Sequence, residues 1–326
     1  MFSCLFIIAF AGLVSTARNL KNQTEVKLDA FTIGNCTVYL GSDCPYSVVK
    51  YFFYTKNREQ QVWLADNGNN LQQTFFNPNY ETKIIIHGYS SNRSLKVLND
   101  IKNEYFKRSN INIFMIDWEY LARGPCYPAA VLNCRITGKC VAKLIDAIRQ
   151  ISNSTVHVIG FSLGAHVSGF ISHYVTDKVD RITGLDPALP GFATVSYNDK
   201  LDYSDAKFVD IIHTNAFFEG TPQQLGHVDF YANGGIFQPN CWEANEILSC
   251  SHHRAPAYFA ESINSINGFW GSLCTSYVHY LVGLCVKTNI QILMGEDINQ
   301  QIRGTYFVYT NDSPPYARGP NAQFFE

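Results

Sequence analysis

The first residues with recognisable chemistry are Gly160-Phe161-Ser162-Leu163-Gly164, a G-x-S-x-G pattern. Alone the pattern is weak, because glycine and serine are common enough for it to arise by chance. Here a strand-like run, VHVIGF, leads into it, and a helix-like run of small residues, LGAHVSGF, leads out. A serine at such a sharp strand-to-helix turn is held as a nucleophile, and the flanking glycines avoid collisions across the turn. The pattern predicts a nucleophilic Ser162; the alternative is an ordinary turn whose serine caps the helix.

A serine nucleophile needs a base to accept its proton and an acid to orient that base. Asp186 lies 24 residues after Ser162, just past a predicted strand, in the segment GLDP. One strand–helix–strand step brings the two side chains to the same carboxyl edge of adjacent parallel strands. We therefore predict that Asp186 is the acid, against the alternative of a capping aspartate in a turn. The competing acids, each within a strand-like run, are Asp117, Asp210 and Asp229.

Two neighbouring histidines, His252 and His253, are the candidates for the base. They come after the acid, as the serine–acid–histidine order of α/β-hydrolases requires. A disulfide at Cys250 would fix the loop that carries them. The residue pattern alone does not choose between the two. The other histidines, for which packing, surface or loop-shaping roles are predicted, are His87, His157, His166, His173, His213, His227 and His279.

The oxyanion that forms on an attacked carbonyl needs preorganised amide donors. His87-Gly88-Tyr89 ends the first clear strand, and in this architecture a loop at that place supplies one donor. The residue after the nucleophile supplies the other. We therefore predict that the backbone N–H groups of Tyr89 and Leu163 form an oxyanion hole. The alternative for the first of them is a plain strand-ending turn.

These side chains must be positioned by alternating strands and helices, and the chain shows that alternation. Short, apolar, β-branched runs are typical of parallel strands covered on both faces. Amphipathic runs predict crossover helices near 95–107, 140–150 and 163–174. The predicted fold class is α/β, an α/β-hydrolase fold whose central, mostly parallel sheet has helices on both faces. The predicted strands are 83–86, 112–118, 156–161, 181–185, 208–213, 281–286 and 304–309.

Composition limits the class of protein. The chain has 326 residues, with 25 basic and 27 acidic side chains and a formal net charge of −2. It is 46% hydrophobic and only 16% charged, which excludes a disordered chain. No basic excess exists to neutralise phosphates, so nucleic-acid binding is not expected. About 300 residues fit one large α/β domain, and no repeat or linker divides them, so 18–326 is predicted to be a single domain.

The N-terminal residues predict secretion. Residues 1–14 (MFSCLFIIAFAGLV) are apolar, and Ser15-Thr16-Ala17 supplies the small residues of a cleavage site, so 1–17 is predicted to be a signal peptide. The alternative is a buried N-terminal helix. No later run is long and apolar enough for a transmembrane segment, so an extracellular protein is expected. Its acceptor sequences for glycosylation are Asn22, Asn35, Asn92, Asn153 and Asn311.

Cysteine use agrees with export. Ten cysteines occur and none forms C-x-x-C, which favours disulfides over a zinc or redox site. Proximity along the chain pairs Cys241 with Cys250 and Cys274 with Cys285. The remaining five after residue 17 are an odd set, so one is free or pairs between chains. Their pairing stays open: they are Cys36, Cys44, Cys126, Cys134 and Cys140.

Together these segments resemble the pancreatic lipase family, which includes the insect phospholipases A1. The resemblance implies Ser162 as nucleophile and Asp186 as acid, and it selects His252, two residues after Cys250, as base. It also implies an enzyme that cleaves fatty-acyl esters of lipids without a cofactor. The matching segments are HGY at 87–89, GFSLGAHVSGF at 160–170, GLDPALPGF at 184–192, DAKFVDIIHT at 205–214, GHVDFYANGG at 226–235 and CSHHRA at 250–255.

The lid region points within this family toward phospholipase A1. Cys241 and Cys250 enclose only the eight residues WEANEILS, which include Trp242, Ile247 and Leu248. At about 3.3 Å per residue, a hairpin of this length reaches roughly 13 Å, too little for the long helical lid of a triglyceride lipase. The facing segment, 215–226, is also short. Phospholipase A1 activity is therefore expected, with a neutral triacylglycerol lipase or galactolipase as the alternative and a non-catalytic yolk-type lipid-binding protein less favoured.

The resemblance also bears on partners. The expected partner is lipid at a membrane or micelle surface. Colipase is not expected, because the chain lacks the C-terminal β-sandwich that binds it in digestive lipases. Apolar side chains are expected to ring the site and meet the lipid. They are Tyr89, Phe217, Phe218, Trp242, Ile247 and Leu248.

A calcium site is a separate question that the resemblance raises. Some relatives bind calcium near this place, and here Asp202 and Asp205 match, but Tyr197 stands where a glutamate would be. Calcium takes six to eight oxygen ligands, so two aspartates are weak candidates. A solvated turn is favoured, and no metal is expected.

Overall fold

The computed structural model describes residues 30–45, 47–64, 71–242, 247–285 and 291–320. The predicted signal peptide (1–17), Asn22 and residues 243–246 of the predicted lid lie outside the described residues. The strands are β1 (Ala30–Ile33), β2 (Cys36–Tyr39), β3 (Lys50–Thr55), β4 (Arg58–Val62), β5 (Thr82–Ile86), β6 (Asn112–Asp117), β7 (Val156–Phe161), β8 (Val179–Leu185), β9 (Ala206–His213), β10 (Val228–Ala232), β11 (Phe269–Cys274), β12 (Gln291–Met294) and β13 (Gly304–Val308). The helices are α1 (Lys96–Arg108), α2 (Glu119–Ala122), α3 (Tyr127–Arg149), α4 (Leu163–Phe170), α5 (Ile247–His252), α6 (Arg254–Ser262) and α7 (Tyr277–Leu281).

One large sheet organises the described part of the chain. Its strand order is β12-β11-β13-β10-β9-β8-β7-β5-β6-β3-β4, and β1 and β2 form a separate hairpin. The central strands β6, β5, β7, β8, β9, β10 and β13 run parallel. Antiparallel pairs extend the sheet at both edges. The predicted α/β-hydrolase class, with a mostly parallel sheet, is confirmed.

Helices cover both faces of this sheet. In β5, Ile84 and Ile86 pack on one face with side chains of α3 and α4, whereas Ile85 packs on the other with α1 and α6. Alternate residues of a strand point to opposite faces, so a strand covered on both sides reads as one apolar run. The helices on the two faces therefore fix the strand ends at the carboxyl edge of the sheet from both sides.

No helix among the described residues combines the length and the apolar character that crossing a bilayer requires.

The prediction of a strand at 281–286 is wrong. Helix α7 ends at Leu281, and a turn follows it inside the loop closed by the Cys274–Cys285 disulfide. The Ser276 hydroxyl caps this helix by accepting the backbone N–H of His279. Tyr277 and Tyr280, three residues apart, both contact the ring of Phe307. An apolar run this short has the same composition in a strand and in a packed helix, so tertiary contacts determine which of the two the segment forms.

Helix α3 is longer than predicted. It begins at Tyr127 rather than near 140, and its first half includes buried Asn133 and Thr137, which obscure the apolar pattern. The Asn133 side chain donates to the carbonyls of Thr37 and Leu121. These tertiary hydrogen bonds satisfy the buried amide of Asn133, and the sequence does not show them.

Four disulfides form among the described residues, in agreement with the preference for disulfides that the cysteine usage predicted. Cys241 pairs with Cys250 and Cys274 with Cys285. Cys36–Cys126 and Cys44–Cys140, which the sequence left open, fasten the N-terminal segment to the start and the middle of α3. Cys134 is free and fully buried, and burial raises the pKa of its thiol far above the ordinary value. This thiol is therefore not available for pairing between chains while the protein is folded.

Candidate active site

Ser162 lies in the turn between β7 and α4, with a strained backbone of φ 58° and ψ −122°. Positive φ is rare for a residue with a side chain and typical of functional turns. The Ser162 N–H donates to the carbonyl of Leu185 at 3.0 Å, which ties the turn to the end of β8. A Cβ on Gly160 would lie 2.3 Å from the Gly164 carbonyl oxygen, and one on Gly164 would lie 2.3 Å from that of Ile86. Both glycines are required for the turn to pack against its neighbours.

Asp186 and His252 form the central pair of the site. The His252 Nδ1–H donates to Asp186 Oδ2 at 2.6 Å, and both residues are almost wholly buried. The other oxygen, Oδ1, accepts the backbone N–H groups of Thr214 at 2.7 Å and Asn215 at 3.0 Å. Three donors thus fix the carboxylate. A carboxylate held in this way fixes the tautomer of the imidazole and leaves Nε2 free to accept a proton.

The imidazole of His252 lies against the turn that contains Ser162. Its ring centroid is 4.6 Å from that of Phe161, the residue before Ser162. His253, the other candidate, has its Nδ1 at 2.7 Å from the Ser249 carbonyl oxygen, and no contact with Asp186 is present among the described residues. The structure therefore brings His252, and not His253, to the predicted acid. The elements responsible are β8, which delivers Asp186, and α5, which ends at His252.

The loop after β5 packs directly against Ser162. A Cβ on Gly88 would lie 2.6 Å from the Cβ of Ser162, so only glycine allows this approach. His87 shapes the loop: its Nδ1–H donates to the Gly88 carbonyl at 2.8 Å, and its Nε2 accepts the Trp118 backbone N–H at 3.1 Å. Tyr89 follows Gly88 here, and Leu163 begins α4 on the other side of Ser162. Their amides remain the predicted oxyanion donors.

The competing acids have other partners. Asp210 makes a two-point contact with Arg181 at 2.8 and 2.9 Å. Asp229 Oδ1 is 2.9 Å from His213 Nε2, and Asp117 Oδ1 is 3.6 Å from His87 Nε2. Each lies in a strand rather than in the turn at the strand end. None of the three contacts His252 in the part of the chain that the structure describes.

One acidic residue at the site was not predicted from the sequence. Glu219, in the loop after β9, has its Oε2 3.7 Å from His252 Nε2. A single glutamate in a loop carries no pattern that separates it from a solvated residue. The backbone N–H groups of Thr214 and Asn215, which bind Asp186, could not be predicted either, because a backbone donor does not depend on the side chain.

The candidate calcium ligands build a local turn instead. Asp202 accepts the Ser204 N–H at 2.6 Å, and Asp205 accepts the Asp202 N–H at 2.8 Å and the Ser172 hydroxyl at 2.7 Å. Burial raises the pKa of Asp205 to about 7, although these donors act in the opposite direction. Within the described ranges no group of three or more His, Cys, Asp or Glu side chains is arranged to hold a metal ion. Tyr197 is exposed nearby in the chain. The prediction of a solvated turn is wrong in one respect, because the structure buries both Asp202 and Asp205.

The predicted apolar ring is partly exposed. Phe217, Phe218 and Trp242 expose 49%, 43% and 64% of their surfaces. Phe237 joins two of them, with ring centroids 5.1 Å from Phe218 and 4.6 Å from Trp242. This chain of rings links the loop after β9 to the segment closed by the Cys241–Cys250 disulfide, which is the predicted lid. The remaining members of the predicted ring, which are half-buried, are Tyr89, Ile247 and Leu248.

Comparison with known proteins identifies the family. A sequence model described as "Lipase" matches residues 41–316. Pancreatic triacylglycerol lipase of Oryctolagus cuniculus is 32% identical over 301 residues, which are 82% of this chain and 64% of that protein. Pancreatic lipase-related protein 2 of Cavia porcellus is 35% identical over 257 residues, 76% of this chain and 58% of that one.

A third relative, Lipase member H-A of Xenopus laevis, is 33% identical over 275 residues, 81% of this chain and 59% of that one. The chain thus spans about three fifths of the length of these relatives. The matched segment contains the serine turn, the Asp186–His252 pair and the loop closed by the Cys241–Cys250 disulfide. The chain belongs to the lipase family that includes the pancreatic triacylglycerol lipases.

Proposed function

We propose that this protein is a secreted serine ester hydrolase that releases fatty acids from lipids, with phospholipase A1-like action at the sn-1 ester. The observation that carries the proposal is the 2.6 Å hydrogen bond between His252 and Asp186, formed beside the strained turn of Ser162. A nucleophile, a base and an orienting acid are the parts that acyl transfer by serine needs. A yolk-type binding protein would not require this arrangement.

The proposed mechanism uses each residue at a stated atom. Ser162 Oγ attacks the ester carbonyl carbon while His252 Nε2 takes its proton, and Asp186 stabilises the imidazolium. The N–H groups of Tyr89 and Leu163 stabilise the oxyanion. His252 then protonates the leaving alcohol, and a water molecule, activated by the same base, hydrolyses the acyl-enzyme.

The preference for phospholipid rests on the lid. The Cys241–Cys250 disulfide closes a loop with a sequence separation of only 9, and the facing loop also is short. A cover this small leaves room above Ser162 for a polar headgroup. Neutral triacylglycerol is the alternative, because relatives named for that substrate are among the similar proteins.

Secretion is supported by the covalent structure. Four disulfides form within the described residues, and such bonds persist in oxidising compartments. The apolar run at 1–14, followed by small residues, is the segment proposed as the signal peptide. Residues 18–326 are then proposed to fold as a single domain of the exported protein.

The substrate is tested by comparing fatty-acid release from phosphatidylcholine and from triolein, with Ser162→Ala as the blank. Phosphatidylcholine with different sn-1 and sn-2 chains reports the position of cleavage. We expect faster release from phosphatidylcholine, mostly of the sn-1 chain. A clear preference for triolein would contradict the argument from the short lid, and equal activity of Ser162→Ala would contradict the hydrolase assignment itself.

A further inference from the structure

His252 has a carboxylate near each of its two ring nitrogens. Asp186 binds Nδ1 at 2.6 Å, and Glu219 Oε2 lies 3.7 Å from Nε2. The second distance is too long for a hydrogen bond but is within ion-pair range. Nε2 is the atom that accepts the serine proton in the proposed mechanism, so Glu219 faces the position where positive charge develops.

The same short turn holds both carboxylates in place. The N–H groups of Thr214 and Asn215 bind Asp186, and the Asn215 side-chain oxygen accepts the Glu219 N–H at 3.1 Å. The Glu219 carbonyl accepts the Leu189 N–H at 2.8 Å, so the backbone of Glu219 is fixed on both sides. The turn requires glycine at position 220, because a Cβ on Gly220 would lie 2.4 Å from Asp186 Oδ1. The position of Glu219 therefore follows from the turn that orients the acid.

The charged and titratable groups around His252 come from four elements. Asp186 follows β8, Glu219 lies in the loop after β9, and Ser162 lies in the turn after β7. His253, which begins the connection to α6, has its ring centroid 6.1 Å away, and burial lowers its pKa, which favours its neutral form. Arg254 is directed toward the Tyr316 hydroxyl and the Pro239 carbonyl. The field at the imidazole is thus dominated by two carboxylates.

We infer that Glu219 is a positioning residue for the base. Its carboxylate stabilises the imidazolium that His252 becomes on taking the Ser162 proton, and thereby sets the pH range of the reaction. The inference rests on the proposed function. Glu219 itself gains and loses no proton in the cycle: the proton passes from Ser162 Oγ to His252 Nε2 and then to the leaving alcohol.

The decisive variant is Glu219→Gln, which keeps the shape and removes the charge. Without the carboxylate the imidazolium is less stable, so the base stays unprotonated to lower pH. We expect the acid limb of the kcat/KM profile on a soluble, uncharged short-chain ester to move to lower pH. Because the Glu219 side chain is 41% exposed, the plateau kcat should fall only about two- to fivefold, with KM unchanged. A profile that superimposes on that of the wild type would overturn the inference.

Two further variants separate charge from structure. Glu219→Asp retains the carboxylate, so its acid limb should stay nearer to that of the wild type than the limb of Glu219→Gln does. Glu59→Gln is the matched control. Glu59 lies on β4 at the edge of the sheet, its side chain is 46% exposed, and its carboxylate pairs with Arg93 at 2.7 Å. Its profile should equal that of the wild type. An acid limb of Glu219→Asp equal to that of Glu219→Gln would show that the charge is not responsible.

Failure of this inference can be told apart from failure of the proposed function. The proposed function fails if Ser162→Ala hydrolyses the same ester as fast as the wild type. If Ser162→Ala is inactive and Glu219→Gln leaves both the pH profile and kcat unchanged, only the role of Glu219 is contradicted. Thermal unfolding of each variant, expected within a few degrees of the wild type for exposed side chains, shows that the folded protein is being compared.

Discussion

At the scale of single residues, Asp186 is the most constrained side chain of the site. Its two oxygens accept two backbone N–H groups and the His252 Nδ1–H, and it is fully buried. Asp186→Asn keeps the shape but presents an amide where His252 needs an acceptor. The imidazole then favours the wrong tautomer, and we expect kcat to fall about 10³- to 10⁴-fold on a soluble ester. A loss smaller than tenfold, with the fold unchanged by circular dichroism, would contradict the role of Asp186.

Asp205 gives a prediction about stability at the same scale. Burial raises its pKa from 3.8 to about 7, so the folded state favours the protonated acid. Its stabilising contribution is therefore fully present below about pH 4 and is lost as the pH rises through 7. The free energy of unfolding of the wild type should fall relative to that of Asp205→Asn between pH 4 and 8, by up to about 4 kcal/mol. Urea unfolding at both pH values measures this, and a difference that does not change with pH would contradict it.

At the scale of elements, the Cys241–Cys250 disulfide joins helix α5, which carries the proposed base His252, to the preceding segment. Cys250 lies in α5 only two residues before His252. The double variant Cys241→Ser/Cys250→Ser should therefore lower kcat as well as stability. The double variant Cys274→Ser/Cys285→Ser is the matched control, because its loop has a sequence separation of 11 against 9 and it carries no proposed catalytic residue. Each should lose about 2–3 kcal/mol of unfolding free energy.

The measurement is kcat on a soluble ester well below the unfolding temperature of both double variants. We expect a lower kcat only for the variant that lacks the lid disulfide. Equal kcat values for the two would mean that α5 and α6 hold His252 without the disulfide.

Some elements of the fold were predictable from the sequence, and others were not. Strands β5, β7, β8 and β9 were predictable because each is a short apolar run buried on both faces. The residue pattern placed Ser162 and Asp186 at the carboxyl edge from local order alone. His252 could be separated from His253 only by family resemblance, because the choice depends on which imidazole reaches Asp186 across 66 residues. Glu219 and α7 were not predictable, since both depend on tertiary contacts.

At the scale of the whole molecule, exposed aromatic side chains lie on the loops that flank the site. Phe218 and Trp242 are connected through Phe237, and both expose much of their surface. Aromatic side chains in such a position favour partition into a lipid surface. Phe218→Ala/Trp242→Ala should lower hydrolysis of phosphatidylcholine vesicles about tenfold or more, because apolar area no longer inserts. Hydrolysis of a soluble ester should be unchanged.

Phe75→Ala is the control for this prediction. Phe75 is 51% exposed, and Arg58 on the edge strand β4 lies over its ring, 4.1 Å from the ring centroid. Its loss should leave vesicle hydrolysis unaltered. Equal effects of the two changes on vesicles would show that general surface hydrophobicity, rather than the loops at the site, determines lipid contact.

The central claim is that Ser162 is a nucleophile activated by His252 and Asp186. Reaction with a fluorophosphonate tests this claim most directly, because the reagent bonds to an activated serine far faster than to an ordinary hydroxyl. We predict a single adduct, located by mass spectrometry on Ser162, absent in Ser162→Ala and formed far more slowly in His252→Ala. An unlabelled wild-type protein, or equal labelling of Ser162→Ala, would contradict the account.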